Sequence, residues 1–296
     1  MTKPDDACRA AYCAAERIAR AHYENFPVAS RLLPRAMRPH VAAVYAFARA
    51  ADDFADEDDL PADERLRRLD GWHRLLLQSI DGTKAPGELP PLFAALGHTV
   101  RVRRLPIALF EDLLSAFRQD VTKSRYADFS EVLDYSRRSA NPIGRLVLRI
   151  AGYEDARFDA SSDCLCTALQ LTNFWQDLAV DWRRGRLYVP LDDCREAGAE
   201  EADLDRGRIT PAWRRVLGVM ADRTRELFDK GRPIADMIRG RLGLELRLTW
   251  LGGARILERL ERAGFDVFRS RPSLGTGDFL PLAVSLASWR FRRRRS

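Results

Sequence analysis

The sequence predicts an all-α protein, and three observations lead to that prediction. Apolar residues recur at helical spacing along most of the 296-residue chain. The alternating Val, Ile and Thr pattern that is typical of β-strands is absent from the sequence. The Pro- and Gly-containing breaks between the periodic segments, such as 81–91 and 185–198, are as short as loops between helices. We therefore expect one all-helical domain whose core encloses a central cavity.

Nine periodic segments account for the predicted helices, and loop signals separate them. In chain order they are residues 7–22, 36–57, 62–80, 92–100, 105–119, 129–151, 161–183, 210–239 and 245–263. The second segment runs into the Leu60–Pro61 loop, and the seventh ends before the 185–198 break. We place the helical domain at residues 1–278 and a short apolar, then Arg-rich tail at residues 279–296.

Composition excludes several classes of protein. Hydrophobic residues make up 46% of the chain, which supports a substantial core. The N-terminus has no apolar run of the signal-peptide type, so we expect a cytoplasmic protein. The five cysteines are odd in number and form no C-x-x-C pair, which argues against a disulfide framework and a zinc site. No run of eighteen apolar residues predicts a membrane-spanning helix.

The positive charge is concentrated at the C-terminus. The formal net charge is +6, and residues 290–296 contain five arginines. A nucleic-acid binder usually carries a basic patch with interleaved aromatics or a basic reading helix, so we expect no nucleic-acid partner. The arginines instead follow the apolar run 279–289. That order is typical of a weak peripheral contact with the inner face of the cell membrane, and the alternative is a solvated C-terminus.

An acidic cluster lies within the alanine-rich second segment. On a helical wheel, Tyr45, Arg49, Asp52 and Asp56 fall within about 60° of one another. Hard divalent cations such as Mg²⁺ take oxygen ligands and use a few carboxylates together with substrate phosphates. The cluster is therefore either a solvated helix end or half of a metal site.

A second polar stripe lies in the seventh segment. Gln170, Asn173, Asp177 and Asp181 fall within about 80° on the wheel, and their neighbours are mostly apolar. A polar stripe on a buried helix is unfavourable unless its groups find partners. Two D-x-x-x-D pairs about 125 residues apart could hold several Mg²⁺ ions around a diphosphate, whereas a solvated amphipathic helix is the alternative.

These motifs carry a resemblance to a known family. The stretches YAFARAADDFADE and LQLTNFWQDLAVDWRRGRLYVP, with HYENFP upstream, resemble the squalene/phytoene synthase family of head-to-head prenyl transferases. The resemblance runs from about Tyr12 to about Phe268. It implies an isoprenoid-synthase fold in which paired aspartate motifs face each other across an apolar channel and bind Mg²⁺ (or Mn²⁺) with a diphosphate.

The resemblance also assigns roles to individual residues. It implies that Asp52 and Asp56 form the first metal-binding pair and that Asp177 and Asp181 form the second. Further contacts with substrate or diphosphate are implied for Tyr45, Arg49, Asp53, Gln170, Asn173, Arg186 and Tyr188. His22, Asn25 and Phe26 occupy the positions of a family turn that binds diphosphate, although Tyr23 and Asn25 replace its two serines.

Two stretches indicate a branch of the family. HYENFPVASRLLPRAMRPHVAAVYAFARAADDFADE and YSRRSANPIGRLVLRIAGY resemble the branch that converts presqualene diphosphate to hydroxysqualene in bacterial hopanoid synthesis. Residues 137–142 are polar where squalene and phytoene synthases are aromatic-rich. We hypothesise that Asn141 helps to hold an attacking water, and the alternative is that Asn141–Pro142 only shapes a helix kink.

The predicted chemistry needs few protein groups. Mg²⁺ neutralises the diphosphate as it leaves, Arg49 adds a charge-assisted hydrogen bond, and an aromatic wall tolerates the carbocation. The candidates for that wall are Phe47, Phe117, Phe174 and Trp175. No Gly-rich dinucleotide motif occurs, and we expect no NAD(P)H.

Two other functions stay open. A condensing synthase of the same family would make presqualene diphosphate, squalene or phytoene from two prenyl diphosphates such as farnesyl diphosphate. A helical adaptor that uses its basic tail is the alternative outside enzymes. For an enzyme of the hopanoid branch, other enzymes of that pathway are the expected partners.

Overall fold

The fold class predicted from the sequence is confirmed. In a computed structural model, which describes residues 6–21, 32–57, 59–81, 84 and 88–289, the regular secondary structure is helical. Within these residues no strand occurs, and an isolated bridge joins Arg125 to Leu187. No helix among them is long and apolar enough to cross a membrane.

The chain divides into two compact units. The first comprises the described residues up to Lys123 together with Arg137–Asp159, and the second comprises Ser124–Ser136 and the described residues from Ala160 onward. The domain boundary placed at residue 278 stays a prediction.

The helices of the first unit come from the N-terminal half. They are α1 (Asp6–Ala21), α2 (Arg38–Asp56), α3 (Ala62–Asp81), α4 (Pro91–Arg103), α5 (Ile107–Thr122) and α7 (Asn141–Ala151). Small residues let α1, α2 and α4 approach closely, since Ala15, Ala43, Ala46 and Ala95 are fully buried in one cluster. Helices α6 (Phe129–Ser139) and α8 (Ala156–Arg183) contribute residues to both units.

The remaining helices lie in the second unit. They are α9 (Leu191–Ala197), α10 (Glu201–Asp205), α11 (Pro211–Gly231), α12 (Pro233–Met237), α13 (Gly240–Arg262) and α14 (Phe279–Ala287), with a 3₁₀ turn at Thr276–Asp278. Trp213 and Trp175 are almost fully buried. The Trp175 indole nitrogen donates to Thr224 Oγ1 at 2.9 Å, which ties α8 to α11.

A polar cluster joins three helices inside the first unit. The Tyr12 hydroxyl lies 3.1 Å from His40 Nδ1, 2.8 Å from His98 Nδ1 and 2.9 Å from Thr99 Oγ1. Burial, together with the charges of Arg103 and His98, lowers the pKa of His40 to about 4. The cluster is therefore built around a neutral His40.

The prediction of single helices over 129–151 and 210–239 is wrong in detail. The first breaks at Ala140, where Pro142 occupies the first turn of α7, and the second breaks at Arg232, directly before Pro233. Proline has no backbone N–H and clashes with the preceding turn, so it begins a helix more easily than it continues one. Part of the predicted 185–198 break is helical, because α9 begins directly after Pro190.

Candidate active site

The first aspartate motif lies on α2, whose alanine-rich face is buried. Tyr45, Arg49, Asp52, Asp53 and Asp56 are all partly exposed, whereas the helix buries nine residues, most of them alanine or valine. The small side chains bring the α2 backbone close to its neighbours and leave the polar stripe at the surface of the unit. The stripe predicted from the sequence is therefore present on one helix.

Arg49 is the electrostatic centre of this motif. Its Nη1 donates to Asp52 Oδ2 at 3.2 Å, and its Nη2 donates to Asp53 Oδ1 at 2.6 Å. Burial alone would lower the pKa of Arg49, but the carboxylates of Asp52 and Asp53 outweigh it and raise the pKa, so the guanidinium stays charged. Its Nε is buried and has no hydrogen-bond partner within the described part of the chain. Asp52 and Asp53 thus use two of the five N–H donors of this cation, and the Nε–H is left without a partner among the described residues.

The second motif lies on α8, where polar side chains of the stripe form hydrogen bonds. Gln170, Asn173, Asp177 and Asp181 are partly exposed, while Leu171, Phe174, Trp175 and Leu178 are buried. Asn173 Nδ2 donates to Asp177 Oδ2 at 2.7 Å. Asn173 and Asp177 are therefore linked one helical turn apart, as their spacing predicts.

Asp177 also binds an arginine that the sequence did not indicate. Arg271 Nε donates to Asp177 Oδ1, and Arg271 Nη2 donates to Asp177 Oδ2 at 3.1 Å. The neighbouring Gln176 donates to the carbonyl oxygen of Pro272 at 2.5 Å. The segment after α13 thus lies against α8 at Asp177. Arg271 follows the end of the recognised resemblance, and no local pattern marks it.

The segment is fixed at its other end by α13. Arg259 donates to the carbonyl oxygen of Ser273 and to the buried carboxylate of Asp278. Asp278 in turn accepts from the backbone N–H of Gly275 at 2.7 Å. Residues 271–278 are therefore held at both ends by side chains of α8 and α13.

An aromatic cluster packs against the inner face of α8. Tyr188 stacks on Phe174 with ring centroids 3.9 Å apart, and it lies 5.4 Å from Tyr126 and 5.7 Å from Tyr135. All four rings are buried. The sequence indicated Phe174 as a candidate for the aromatic wall and Tyr188 as a contact with substrate or diphosphate, whereas it did not indicate Tyr126 or Tyr135. Their only signal was the aromatic spacing in SRYADFSEVLDYS.

The other candidates for an aromatic wall have different surroundings. Phe47 packs among Trp72, Phe93 and Phe110 in the core of the first unit. Trp175 is 1% exposed and bonded to Thr224. Phe117 on α5 is also buried. The role of all four side chains as a wall for a carbocation stays a prediction.

The break between α6 and α7 carries two buried polar groups. Asn141 is the first residue of α7 and is 6% exposed. Within the described residues, the Ser139 hydroxyl oxygen is buried and has no hydrogen-bond partner. A buried hydroxyl without a partner is unfavourable by about 1–3 kcal/mol, so this position favours a bound water. The helix break predicted as the alternative role of Asn141–Pro142 is present.

Two groups of predicted residues remain. The backbone N–H of Arg186 donates to the carbonyl oxygen of Asp181 at 2.8 Å, which closes the turn after α8. His22, Asn25 and Phe26 lie outside the described residues, as do the arginines of 290–296. Their predicted roles stay predictions.

Each aspartate motif carries oxygen ligands of the kind that a hard divalent cation takes. Each motif supplies two carboxylates, Asp52 and Asp56 on α2 and Asp177 and Asp181 on α8, and Mg²⁺ commonly takes one or two carboxylates with substrate phosphates. The unpartnered Nε of Arg49 suits the phosphates. Among the residues that the structure describes, no group of three or more His, Cys, Asp or Glu side chains is placed to hold a metal ion.

A family model, a curated relative and a solved structure all relate this chain to the same group of proteins. The model of the family "Squalene/phytoene synthase" matches residues 19–278. A hydroxysqualene synthase of Rhodopseudomonas palustris is 40% identical over 240 residues, which are 80% of each chain. The solved structure of squalene synthase HpnC from Alicyclobacillus acidocaldarius is 38% identical, with a TM-score of 0.80, and the match covers 87% of this chain and 95% of that one.

A more distant structure extends the fold comparison. A dehydrosqualene synthase solved in complex with a ligand is 21% identical, with a TM-score of 0.85, and the match covers 98% of this chain and 100% of that one. Together with the HpnC match, it establishes the isoprenoid-synthase fold that the sequence predicts.

Proposed function

Because this chain belongs to the squalene/phytoene synthase family, we propose that it converts presqualene diphosphate to hydroxysqualene in hopanoid biosynthesis. Similarity to hydroxysqualene synthases from three bacteria supports this branch, at 40%, 34% and 35% identity. The proposal depends chiefly on the side chains of the two motifs. Two helices each present a D-x-x-x-D carboxylate pair, and one of them adds a charged arginine with an unused donor.

The first step would be loss of diphosphate. Asp52, Asp56, Asp177 and Asp181 would hold Mg²⁺, which when bound neutralises the leaving group. Arg49 would bind the same diphosphate through N–H groups that Asp52 and Asp53 leave unused, since these carboxylates take one donor each from Nη1 and Nη2. The carbon–oxygen bond breaks, and the electron pair leaves with the diphosphate. No protein nucleophile is required.

The carbocation would then need surroundings that do not react with it. The buried rings of Phe174, Tyr188, Tyr126 and Tyr135 offer π-faces, and cation–π contacts stabilise a cation by about 0.5–2 kcal/mol each. Tyr188 stacks on both Phe174 and Tyr126, and the burial of all four rings would keep water away from the cation. Rearrangement of the carbon skeleton can then precede capture.

The last step would be capture by water. We assign this water to Ser139 and Asn141, because a buried hydroxyl without a protein partner favours a bound water. The water oxygen forms the new carbon–oxygen bond, and its proton passes to the released diphosphate. No hydride is consumed, so the reaction would need no NAD(P)H.

Product analysis tests this proposal. The purified protein with Mg²⁺ is incubated separately with presqualene diphosphate and with farnesyl diphosphate, and the products are identified by mass spectrometry. We expect hydroxysqualene from the first substrate and no condensation product from the second. Formation of presqualene diphosphate, squalene or phytoene from farnesyl diphosphate would instead assign the chain to the condensing enzymes.

The water-binding residues have a separate test. Ser139→Ala and Asn141→Ala should shift the product from alcohol toward hydrocarbons formed by proton loss, while presqualene diphosphate is still consumed. An unchanged alcohol fraction in both variants would remove these residues from the mechanism and leave the branch assignment intact.

A further inference from the structure

Helix α14 exposes an apolar face. Phe279, Leu280 and Val284 are 73%, 74% and 61% exposed, the highest values for large hydrophobic side chains within the described residues. Ala283 and Ala287 are exposed as well, and the five residues fall within about 140° on the helical wheel. A contiguous apolar face of this kind marks an interaction surface, whereas single exposed apolar residues are ordinary.

The opposite face of α14 is firmly attached. Leu282 and Leu286, together with Trp250 of α13, pack against a buried cluster of Ala235, Leu251 and Trp289. The Trp289 indole nitrogen donates to Asp236 Oδ1 at 2.7 Å. Arg232 Nη2 donates to the Trp289 carbonyl oxygen at 3.0 Å, and the Arg232 guanidinium lies 4.5 Å from the centre of the Trp289 ring. The apolar face is therefore presented by an anchored helix.

The positive charge of the sequence after α14 indicates which partner the apolar face binds. The sequence directly after Trp289 carries five arginines in its last seven residues. An apolar helix face next to a polybasic segment matches the two requirements of an anionic lipid surface, insertion of apolar side chains and attraction to charged headgroups. A second copy of the chain fits poorly, because pairing through α14 would bring together two segments of the same positive charge.

We propose that the apolar face of α14 and the arginines after it dock the protein on an anionic bilayer surface. The contact is superficial, because no described helix is long and apolar enough to cross the membrane. It complements the proposed function, because presqualene diphosphate and hydroxysqualene are lipids that a docked enzyme can exchange with the bilayer. The binding test needs no substrate, so its outcome is independent of the reaction.

Vesicle cosedimentation of the full chain tests the proposal. Phosphatidylcholine vesicles are prepared with and without phosphatidylglycerol, and the partition coefficient is measured for wild type and variants. The triple substitution Phe279→Ser, Leu280→Ser and Val284→Ser should lower binding to the anionic vesicles about tenfold or more. Removal of residues 290–296 should lower it at least as much, because each arginine contributes about fivefold.

A matched control uses exposed apolar residues elsewhere. Val102 on α4 and Val219 on α11 are 52% and 45% exposed, and their joint replacement by serine should leave binding unchanged. Circular dichroism should show the same helix content in every variant, because all the substituted side chains are exposed. Equal binding of the α14 variant and this control would overturn the proposal. A dimer in sedimentation velocity that the α14 variant abolishes would also overturn it, in favour of self-association.

Discussion

Replacement of Asp177 by Asn should separate catalysis from stability. The amide keeps the shape of the side chain and can still accept a hydrogen bond from Arg271, but it removes one negative charge from the second motif. In the proposed function this charge helps to hold Mg²⁺ against the leaving group. Loss of one preorganised electrostatic group typically lowers kcat by about 10²–10³, or about 2.7–4 kcal/mol.

The expected effect on folding is much smaller. The side chains of Asp177 and Arg271 are 18% and 42% exposed, and ion pairs that are open to solvent contribute about 0–1 kcal/mol. The free energy of unfolding should therefore fall by no more than about 1 kcal/mol. Asp222→Asn is a matched control, because Asp222 pairs with Arg225 at 2.6 Å on the exposed side of α11 and belongs to neither motif. It should lose little stability and no activity.

Two measurements test the metal role of Asp177. Diphosphate release gives kcat over a range of Mg²⁺ concentrations, and urea unfolding gives the stability of each variant. Turnover of Asp177→Asn within about threefold of the Asp222→Asn value would refute the metal role. The metal role would also be refuted if Asp177→Asn lost turnover only to the extent that the variant is unfolded. The polar stripe on α8 would then be a solvated helix face.

Three further predictions follow from single contacts. Arg49→Lys keeps the charge but loses the forked donors, so kcat/KM should fall about tenfold or more in steady-state assays; an unchanged value would show that Nε binds no substrate. The folded state keeps His40 neutral down to about pH 4, because of burial and the charges of Arg103 and His98. The unfolded state binds the proton near pH 6.5, so stability should fall by about 1–2 kcal/mol between pH 6.5 and 4, after allowance for solvent screening. In urea unfolding, His40→Gln should make the free energy of unfolding less dependent on pH between 6.5 and 4. A variant with the same pH dependence as wild type would contradict the role of His40. Gly97→Ala places a Cβ against a backbone carbonyl of α3 and should lower the free energy of unfolding by about 1–3 kcal/mol, whereas wild-type stability would show that α3 and α4 can separate.

The parts of the site that the sequence predicted are those that depend on local geometry. The stripes on α2 and α8 follow from helical periodicity alone, since side chains three and four residues apart share a face. The bond between Asn173 and Asp177 is of this kind. The break at Ala140 could have been predicted more sharply, because Pro142 favours the start of a helix over its interior.

The parts that the sequence did not predict depend on contacts between distant segments. Arg271 reaches Asp177 across 94 positions of the chain, and no periodic pattern links the two. Tyr126 and Tyr135 look like ordinary core aromatics until the fold stacks Tyr126 on Tyr188. The orphan hydroxyl of Ser139 is also invisible in the sequence, because hydrogen bonding depends on every neighbour of the atom.

The origin of the product oxygen tests the central claim most directly. The protein is incubated with Mg²⁺ and presqualene diphosphate in water labelled with heavy oxygen, with and without NADPH, and the product is analysed by mass spectrometry. Capture of the carbocation by water predicts an alcohol that carries one labelled oxygen in both reactions. An unlabelled hydrocarbon that forms only with NADPH would contradict the account and would indicate a reducing squalene synthase.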